Sequence, residues 1–391
     1  MARRPIHVLE LRSVRGTGGG PEKTIMLGAA QADRRDFAVT VCYIRDRRDR
    51  IFRLDEKAAT LGIDYVEVHE QHSLDASIWP ALRRLVRERQ IDIVHAHEYK
   101  TDLLAWSLAQ CETVVPLATV HGWTGHSRKE RMVYYPLDRA LLARFPRLLA
   151  VSGQIKDQLV RSGARAERVT VVLNAIDPHQ HVRKPEVVAA ARQSFGWGPQ
   201  QLVIGAVGRL EPQKRFDLLI DAVALLQRRR SWNVRLAIAG DGSQATILNA
   251  RASAALAPGT WIPLGHVGDV RAIYHAVDVF VQSSEYEGTA NAVLEAMAYE
   301  TPIVATDVGG TAELARDRVD AVIVAPGNAE ALAAAIESIV LDPDGARRRS
   351  LAARRRVEGE LSFAARMRTV EQVYRELLAA TSPRAELAAA R

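Results

Sequence analysis

The sequence predicts an α/β protein built from two Rossmann-like, doubly wound domains in tandem. Three observations carry that expectation. At 391 residues the chain is too long for one ordinary core, since single cores stop growing near about 250–300 residues. Short β-branched runs alternate with longer stretches of helical periodicity, the pattern of a mainly parallel sheet with helices on both faces. The alternation then breaks once and restarts, so the pattern is made twice.

The first series of strand patterns is IHVLEL, FAVTVCYI, IDYVEV, IDIVHAH, VVPLATVH, RLLAVS and RVTVVL. Helical patterns such as PEKTIMLGAAQAD, SIWPALRRLVRERQ and TDLLAWSLAQ lie between them, and the first domain is placed at 1–180. NAIDPHQHVRKPEVV, with two prolines and mixed charge, interrupts the rhythm, and 181–200 is read as a linker. LVIGAVG, VRLAIAGDG, TWIPLG, DVFVQSS, PIVATDVGG and AVIVAPG then define a second domain over 201–362. SFAARMRTVEQVYRELLAA predicts a terminal helix over 363–382 that packs back on the first domain, with 383–391 a frayed tail. No short-period repeat occurs, which excludes a solenoid.

Composition narrows the class. With 48% hydrophobic and 25% charged residues, the chain reads as soluble and globular. No apolar run approaches the roughly 20 residues that span a bilayer. The opening MARRPIHVLELRS enters a strand pattern without the apolar core of a signal peptide, so a cytoplasmic protein is expected. Two cysteines, Cys42 and Cys111, lack metal-type or redox spacing. The net charge of +7 is uneven. Residues 1–180 hold 28 basic against 22 acidic residues, and 181–391 hold 25 against 24. A basic first half suits an acidic partner such as anionic lipid, a phosphorylated acceptor or nucleic acid. No aromatic stripe or helix-turn-helix pattern interleaves with the arginines, so nucleic acid is not the expected partner.

Doubly wound sheets bind ligands at the carboxyl ends of their strands. If the two sets of ends face each other, the site is an interdomain cleft. After the first strand, RGTGGGPEKT supplies Gly16, Gly18, Gly19 and Gly20 before a helix opened by Pro21. Glycines there permit close backbone approach, and the helix amides can hold an anion. In the second domain, Arg209 and Lys214 flank a proline turn between strand and helix, and AGDG adds a glycine turn at the same edge. Two cations and a helix N-terminus suit a diphosphate. SSEYEGTANAVLEAMA places Glu287 before a small-residue turn and Glu295 on the following helix. Helical side chains lean toward the N-terminus, so Glu295 leans back toward that turn. Amides over Thr289–Ala292 for phosphate, with two carboxylates for hydroxyl pairs, describe a cradle for a nucleotide sugar.

In order and spacing across 202–327, GRLEPQKRFDLLIDA, AGDG, LGHVGDV, DVFVQSSEYEGTANAVLEAMA and TPIVATDVGGTAEL resemble the donor domain of the retaining family 4 glycosyltransferases of the GT-B fold. DIVHAHEYKTDLLA, TVHGW, LLAVSGQIKDQLV and VVLNAID extend the likeness, less tightly, through the first half. The resemblance implies retaining transfer from a UDP- or GDP-type sugar, with no other cofactor, to a sugar or lipid-linked acceptor in bacterial polysaccharide or glycolipid assembly. It assigns Arg209 and Lys214 to the donor diphosphate, Glu295 to the ribose and Glu287 to donor sugar hydroxyls. Gly288, Thr289, Ala290 and Asn291 would offer amides near sugar and phosphate. His121 would face the reacting sugar as a hydrogen-bonding positioner. Gly18, Gly19 and Gly20 would lie near the donor phosphates and acceptor. No Asp-x-Asp sits at a predicted strand end, so no obligatory metal is expected. Three departures stand out: Arg215 and Ala175 where the family usually has glycine, and RDRVDAVIV in place of its Asp-Gly turn.

Other readings stay open at this stage. One is a different GT-B activity, a nucleotide-sugar 2-epimerase or a phosphorylase. Another is a Rossmann oxidoreductase, although the glycine run from Gly16 departs from the dinucleotide fingerprint at Pro21. IRDRRDRIFRLDEK and HSRKERMVYYPLDRALLARFPR are the basic stretches of the first half. In the second, Met132, Tyr135, Leu142 and Phe145 share one helical side, with Arg128, Lys129, Arg131 and Arg139 for a polar surface. Such a helix could rest on anionic phospholipid at the inner face of a membrane.

Overall fold

A computed structural model describes residues 4–381 apart from 17, 73–74 and 124–128, with the side chain of Arg131 also left aside. The chain forms two compact units. One holds the residues up to Asn174 together with those from Ala364 onward, and the other holds Ala175–Phe363.

The first unit is a seven-stranded parallel sheet. Its strands are β1 (Ile6–Ser13), β2 (Phe37–Asp46), β3 (Asp64–Glu70), β4 (Ile93–Ala96), β5 (Val115–Val120), β6 (Arg147–Ala150) and β7 (Val169–Val171). The order β3-β2-β1-β4-β5-β6-β7 reverses direction at β1/β4, the switch point of a doubly wound sheet. The register there sets Glu10 beside His95. Helices cross between the strands, and a last helix, Phe363–Thr381, closes the unit. That helix buries Val370, Val373, Tyr374 and Leu377 against Val8, Phe37, Ile93, Leu117 and Leu149. Each such side chain contributes on the order of 1.5–3 kcal/mol by burial. This is why a segment so distant in sequence belongs to the first unit.

The second unit is a six-stranded parallel sheet of β8 (Leu202–Val207), β9 (Val234–Ala239), β10 (Trp261–Gly265), β11 (Val279–Gln282), β12 (Ile303–Thr306) and β13 (Val322–Val324). Its order, β10-β9-β8-β11-β12-β13, turns at β8/β11. Thus all thirteen strand patterns of the sequence fold as strands, and both sheets are doubly wound.

The expected linker differs. Residues 181–200 contain the helix Pro185–Ser194, which opens on its proline as a first-turn residue rather than a loop breaker. Ala191 and Trp197 join Val203, Ala237, Ile273 and Val277 in a core cluster of the second unit. Arg192 donates to Asp278 at 2.9 Å and to the carbonyls of Gly198 and Gln201. The passage between units lies earlier, after Asn174. Ile176 already bonds the backbone of Leu361 and Phe363 within the second unit. The frayed tail over 383–391 lies outside the described residues.

Candidate active site

In the second unit the loops after β8, β9, β11 and β12 are locked together by backbone contacts. After β8, the amide of Leu210 donates to Asp241 O and its carbonyl accepts from Gln244 N, both at 2.8 Å. The AGDG turn packs so closely on this loop that a Cβ at Gly240 would lie 1.8 Å from the carbonyl oxygen of Gly208. These glycines therefore serve a close approach of two loops. Past Pro212–Lys214, a single 3-10 turn, Arg215 adopts the left-handed conformation at φ 48° and ψ 41°. Its guanidinium chelates Asp217 at 3.1 Å and reaches Glu285 at 3.5 Å. The glycine of the family is thus replaced by an arginine that keeps glycine's backbone conformation and ties it down with ion pairs. Arg318, with φ 57°, takes the same left-handed conformation in the RDRVDAVIV turn.

The β11 loop docks on that turn. Ser283 Oγ donates to Lys214 O at 2.8 Å, and Glu285 N donates to Gln213 O at 2.9 Å. These contacts bring two predicted site residues together: Lys214 Nζ lies 2.5 Å from Glu287 Oε1. Ser284 Oγ donates to the same oxygen at 2.6 Å, and Glu287 is buried. Arg209 is exposed and carries no ion pair among the described residues. Gly288, Thr289 and Ala290 lead directly into the helix Asn291–Ala298. Gly310 N donates to Gly288 O at 3.1 Å, and Gly309, at φ 57°, would drive a Cβ to 1.8 Å from Glu287 O. In the helix's second turn, Glu295 Oε2 accepts from Tyr274 Oη at 2.8 Å. Tyr274 is fully buried, stacked on Tyr299 at 5.6 Å and 8°. Burial, with Glu295 beside it, pushes its pKa well above the usual phenol range, so it remains a donor. The sequence reading missed Tyr274, which stands 21 positions before its partner.

In the first unit the glycine loop behaves differently from expectation. The helix begins at Gly20, one residue before the proline. The amide of Gly19 donates to Glu22 Oε2 at 2.6 Å, so a carboxylate of the chain itself occupies that donor. Arg12 Nε meets the other oxygen of Glu22 at 2.5 Å and donates from Nη1 to His97 O at 2.7 Å. Burial raises the Glu22 pKa, but Arg12 and the Gly19 amide outweigh it and hold the carboxyl below its usual range.

His121 sits just past β5, half-buried. Behind it lies a network that the sequence reading did not find. His97 Nδ1 is 3.3 Å from His121 Nε2, and His97 Nε2 bonds Glu10 Oε2. Tyr374 Oη donates to Glu10 Oε1 at 2.9 Å and meets His95 Nδ1 at 2.8 Å, while His95 Nε2 meets Thr119 Oγ1 at 2.7 Å. The three imidazoles form a tilted stack, with centroids 4.4 Å and then 5.6 Å apart. Burial and the neighbouring His95 lower the His97 pKa to about 4 against the pull of Glu10. Burial, then His97 and Arg12, hold His121 well below its usual value. Burial would raise Glu10, but His95 and His97 outweigh it and keep the carboxyl well below the usual range. Glu10, His95 and His97 carry metal-ligand atoms within 4.8 Å of one another. Each already hydrogen-bonds Tyr374, Thr119, His121 or another member, so the donor set is satisfied by protons. One sequence signal was available: His95 and His97, at i and i+2, must share a sheet face.

The basic stretch of the first unit divides. Tyr135, Leu142 and Phe145 are buried, as a helix packed on a sheet requires. Met132, expected beside them, is 77% exposed, and Leu137 is 64% exposed. A π-helical turn, Glu130–Tyr134, precedes the helix Tyr135–Leu142 and rotates Met132 off its apolar side. Arg139 lies over the ring of Trp123 at 4.3 Å, and Trp123 Nε1 donates to Asp138 at 2.9 Å. Arg128 lies outside the described residues, as does the side chain of Arg131. Among the described residues no helix is long and apolar enough to cross a membrane.

Comparison with known proteins agrees with this architecture. The family model "Glycosyltransferase Family 4" matches residues 18–180, and "Glycosyl transferases group 1" matches 188–356. The chain is 30% identical over 298 residues to the glycogen synthase of Mycobacterium tuberculosis, covering 72% of this chain and 68% of that protein. It is 29% identical over 357 residues to the D-inositol 3-phosphate glycosyltransferase of Rhodococcus opacus, covering 84% and 79%. The crystal structure of Anabaena HepE in complex with UDP-glucose superposes with a TM-score of 0.82 at 20% identity, over 95% of this chain and all of that one. Both halves of the sequence and both sheets therefore lead to one assignment: the chain belongs to the family 4 glycosyltransferases of the GT-B fold.

Proposed function

We propose that this glycosyltransferase moves a sugar from a nucleoside-diphosphate sugar to an acceptor hydroxyl with retention of configuration and without an obligatory metal. The observation that carries the reading is the Lys214–Glu287 contact at the approach to the helix Asn291–Ala298, with the exposed Arg209 on the same loop as Lys214. Departure of a diphosphate develops negative charge, which two cations and helix amides stabilise. Each such preorganised donor is worth about 2.7–4 kcal/mol in the transition state. Lys214 exchanges Glu287 for phosphate when donor binds, which frees Glu287 to accept from sugar hydroxyls. Glu295, oriented by its bond from Tyr274, accepts from the ribose.

UDP-glucose, the ligand of HepE, is the first donor to try. A panel of UDP-, GDP- and ADP-sugars, scored by thermal shift and by turnover in EDTA, tests the reading. Stabilisation by one nucleotide class and metal-free turnover are expected. Failure of every nucleotide to stabilise the protein would overturn the donor assignment, and a strict metal requirement would overturn the mechanism.

A lipid-linked acceptor at an anionic membrane surface fits the first unit. Met132, Val133 and Leu137 stay exposed, and exposed Lys129 lies 5.3 Å from the Tyr134 ring centroid. Apolar side chains rimmed by lysine suit a phospholipid interface. Co-sedimentation with anionic but not neutral vesicles, lost at high salt, is the expected result. No binding at low salt points to an acceptor taken from solution.

A further inference from the structure

We infer that Glu10 and His97 are positioning residues that fix His121 in one tautomer, with Nε2 protonated and the Nδ1 lone pair left to accept a hydrogen bond from a substrate hydroxyl. The inference rests on the reading above only in its last step, that the hydroxyl belongs to the substrate; the tautomer follows from the first unit alone.

The proton positions are fixed one after another outward from Glu10. A carboxylate only accepts, and Glu10 is buried with two oxygens to satisfy. Tyr374 Oη donates to Oε1, so the phenol proton is committed and the phenol oxygen must accept from His95 Nδ1–H at 2.8 Å. His95 Nε2 is then the lone pair that takes the Thr119 hydroxyl proton at 2.7 Å. The remaining oxygen, Oε2, accepts from His97, which therefore carries its proton on Nε2. His97 is neutral at ordinary pH, so its Nδ1 has no proton and can only accept. The group facing that nitrogen at 3.3 Å is His121 Nε2, which must donate. His121, also neutral, is left with an unprotonated Nδ1. The charged groups that face the chain from neighbouring elements are Arg12 on β1 and Arg366 on the terminal helix, and both oppose a positive charge on His121. Held this way, His121 is a fixed acceptor and a poor proton donor.

Two-bond 15N–1H correlation on histidine-labelled protein reads the tautomer directly, with His121 assigned through His121→Gln. The expected pattern has Nε2 protonated and Nδ1 bare; Nδ1 protonation in the unaltered protein would overturn the inference, whatever the enzyme acts on. Glu10→Gln supplies the second measurement. Its amide oxygen stays with Tyr374 and its NH2 faces His97, which reverses the proton on His97 and then on His121. The expected loss of kcat is up to about 10⁴-fold, by analogy with other carboxylate-oriented histidines, with UDP or GDP affinity unchanged and the His121 pattern inverted. Unchanged kcat together with an inverted pattern would show that the tautomer does not serve turnover. If the unaltered protein turns over no nucleotide sugar, the proposed function fails while the spectrum still decides the tautomer. Should Glu10→Gln not fold, the spectrum of the unaltered protein decides alone.

Discussion

The two units treat charge at their strand ends in opposite ways. In the first, Glu10, His95, His97 and Tyr374 are buried and satisfy one another. In the second, Arg209 is exposed, and half-buried Lys214 rests on buried Glu287. One network is completed by folding alone, because a buried charge must find its partners inside the protein. The other leaves Arg209 in solvent with no ion pair among the described residues and pairs half-buried Lys214 with a single carboxylate, Glu287. The contrast suggests that the first unit supplies fixed geometry and the second supplies binding energy.

The sharpest way to break this contrast is to separate activity from stability. Arg209→Ala is expected to lower kcat/KM by roughly 10²–10³-fold, the cost of one preorganised charge. Its melting temperature should hardly move, since exposed substitutions fall within about 0.5 kcal/mol. A large loss of stability without loss of turnover would invert the assignment.

Acidification probes the first unit. His97 has a folded pKa of about 4, below the unfolded value of about 6.5. The unfolded state therefore binds more protons in that window. The stabilisation is fully present above pH 6.5 and is lost as pH falls toward 4, at up to about 1.4 kcal/mol per pH unit for the histidine. Buried Asp102 acts with the opposite sign, because burial and then Asp138 raise its pKa. The measurement is accordingly a difference: the pH slope of melting for His97→Gln should be shallower than for the unaltered chain between pH 4 and 6.5. Identical slopes would remove His97 from the titrating set.

Tyr374→Phe should cost about 1–3 kcal/mol by removing the hydroxyl that Glu10 Oε1 and His95 Nδ1 share, while His97 and Thr119 keep their bonds to the pair. Nucleotide affinity should be retained, as the tyrosine belongs to the first unit; weakened nucleotide binding in a folded variant would join the two networks that the contrast separates. Arg215→Gly is the mildest test. Relief of the left-handed strain offsets loss of the Asp217 and Glu285 pairs, so stability should change by less than about 1 kcal/mol. A loss beyond 2 kcal/mol, read by denaturant titration, would mean the ion pairs and not the backbone hold the turn.

The fold was largely legible because β-branched runs and helical periodicity agree along both halves. Pro185 misled because a proline that starts a helix looks, in one dimension, like one that interrupts a chain. That Lys214 and Glu287 are neighbours was legible because each sits in a short loop at the carboxyl edge of the same sheet. Glu10 and His97 were not, since their contact depends on the β1–β4 register across 87 positions. Tyr274 was hidden for the same reason, as a buried ring on a helix reads as core. The anion role foreseen for the Gly18–Gly20 loop did not anticipate Glu22, whose carboxylate reaches back three residues to Gly19.

Gly309 has a consequence for how this sequence can vary. The space its side chain would need is filled by the backbone oxygen of Glu287, in a conformation that only glycine adopts cheaply. A carbonyl cannot rotate aside as a flexible side chain could, so the loop carrying Glu287 and the turn after β12 are inherited as one piece. Randomising position 309 under selection for activity should return glycine almost alone, whereas position 215, left-handed but only half-buried, should return glycine, asparagine and arginine together. Donor preference in this chain would then drift through residues flanking the two turns, while the turns themselves stay still.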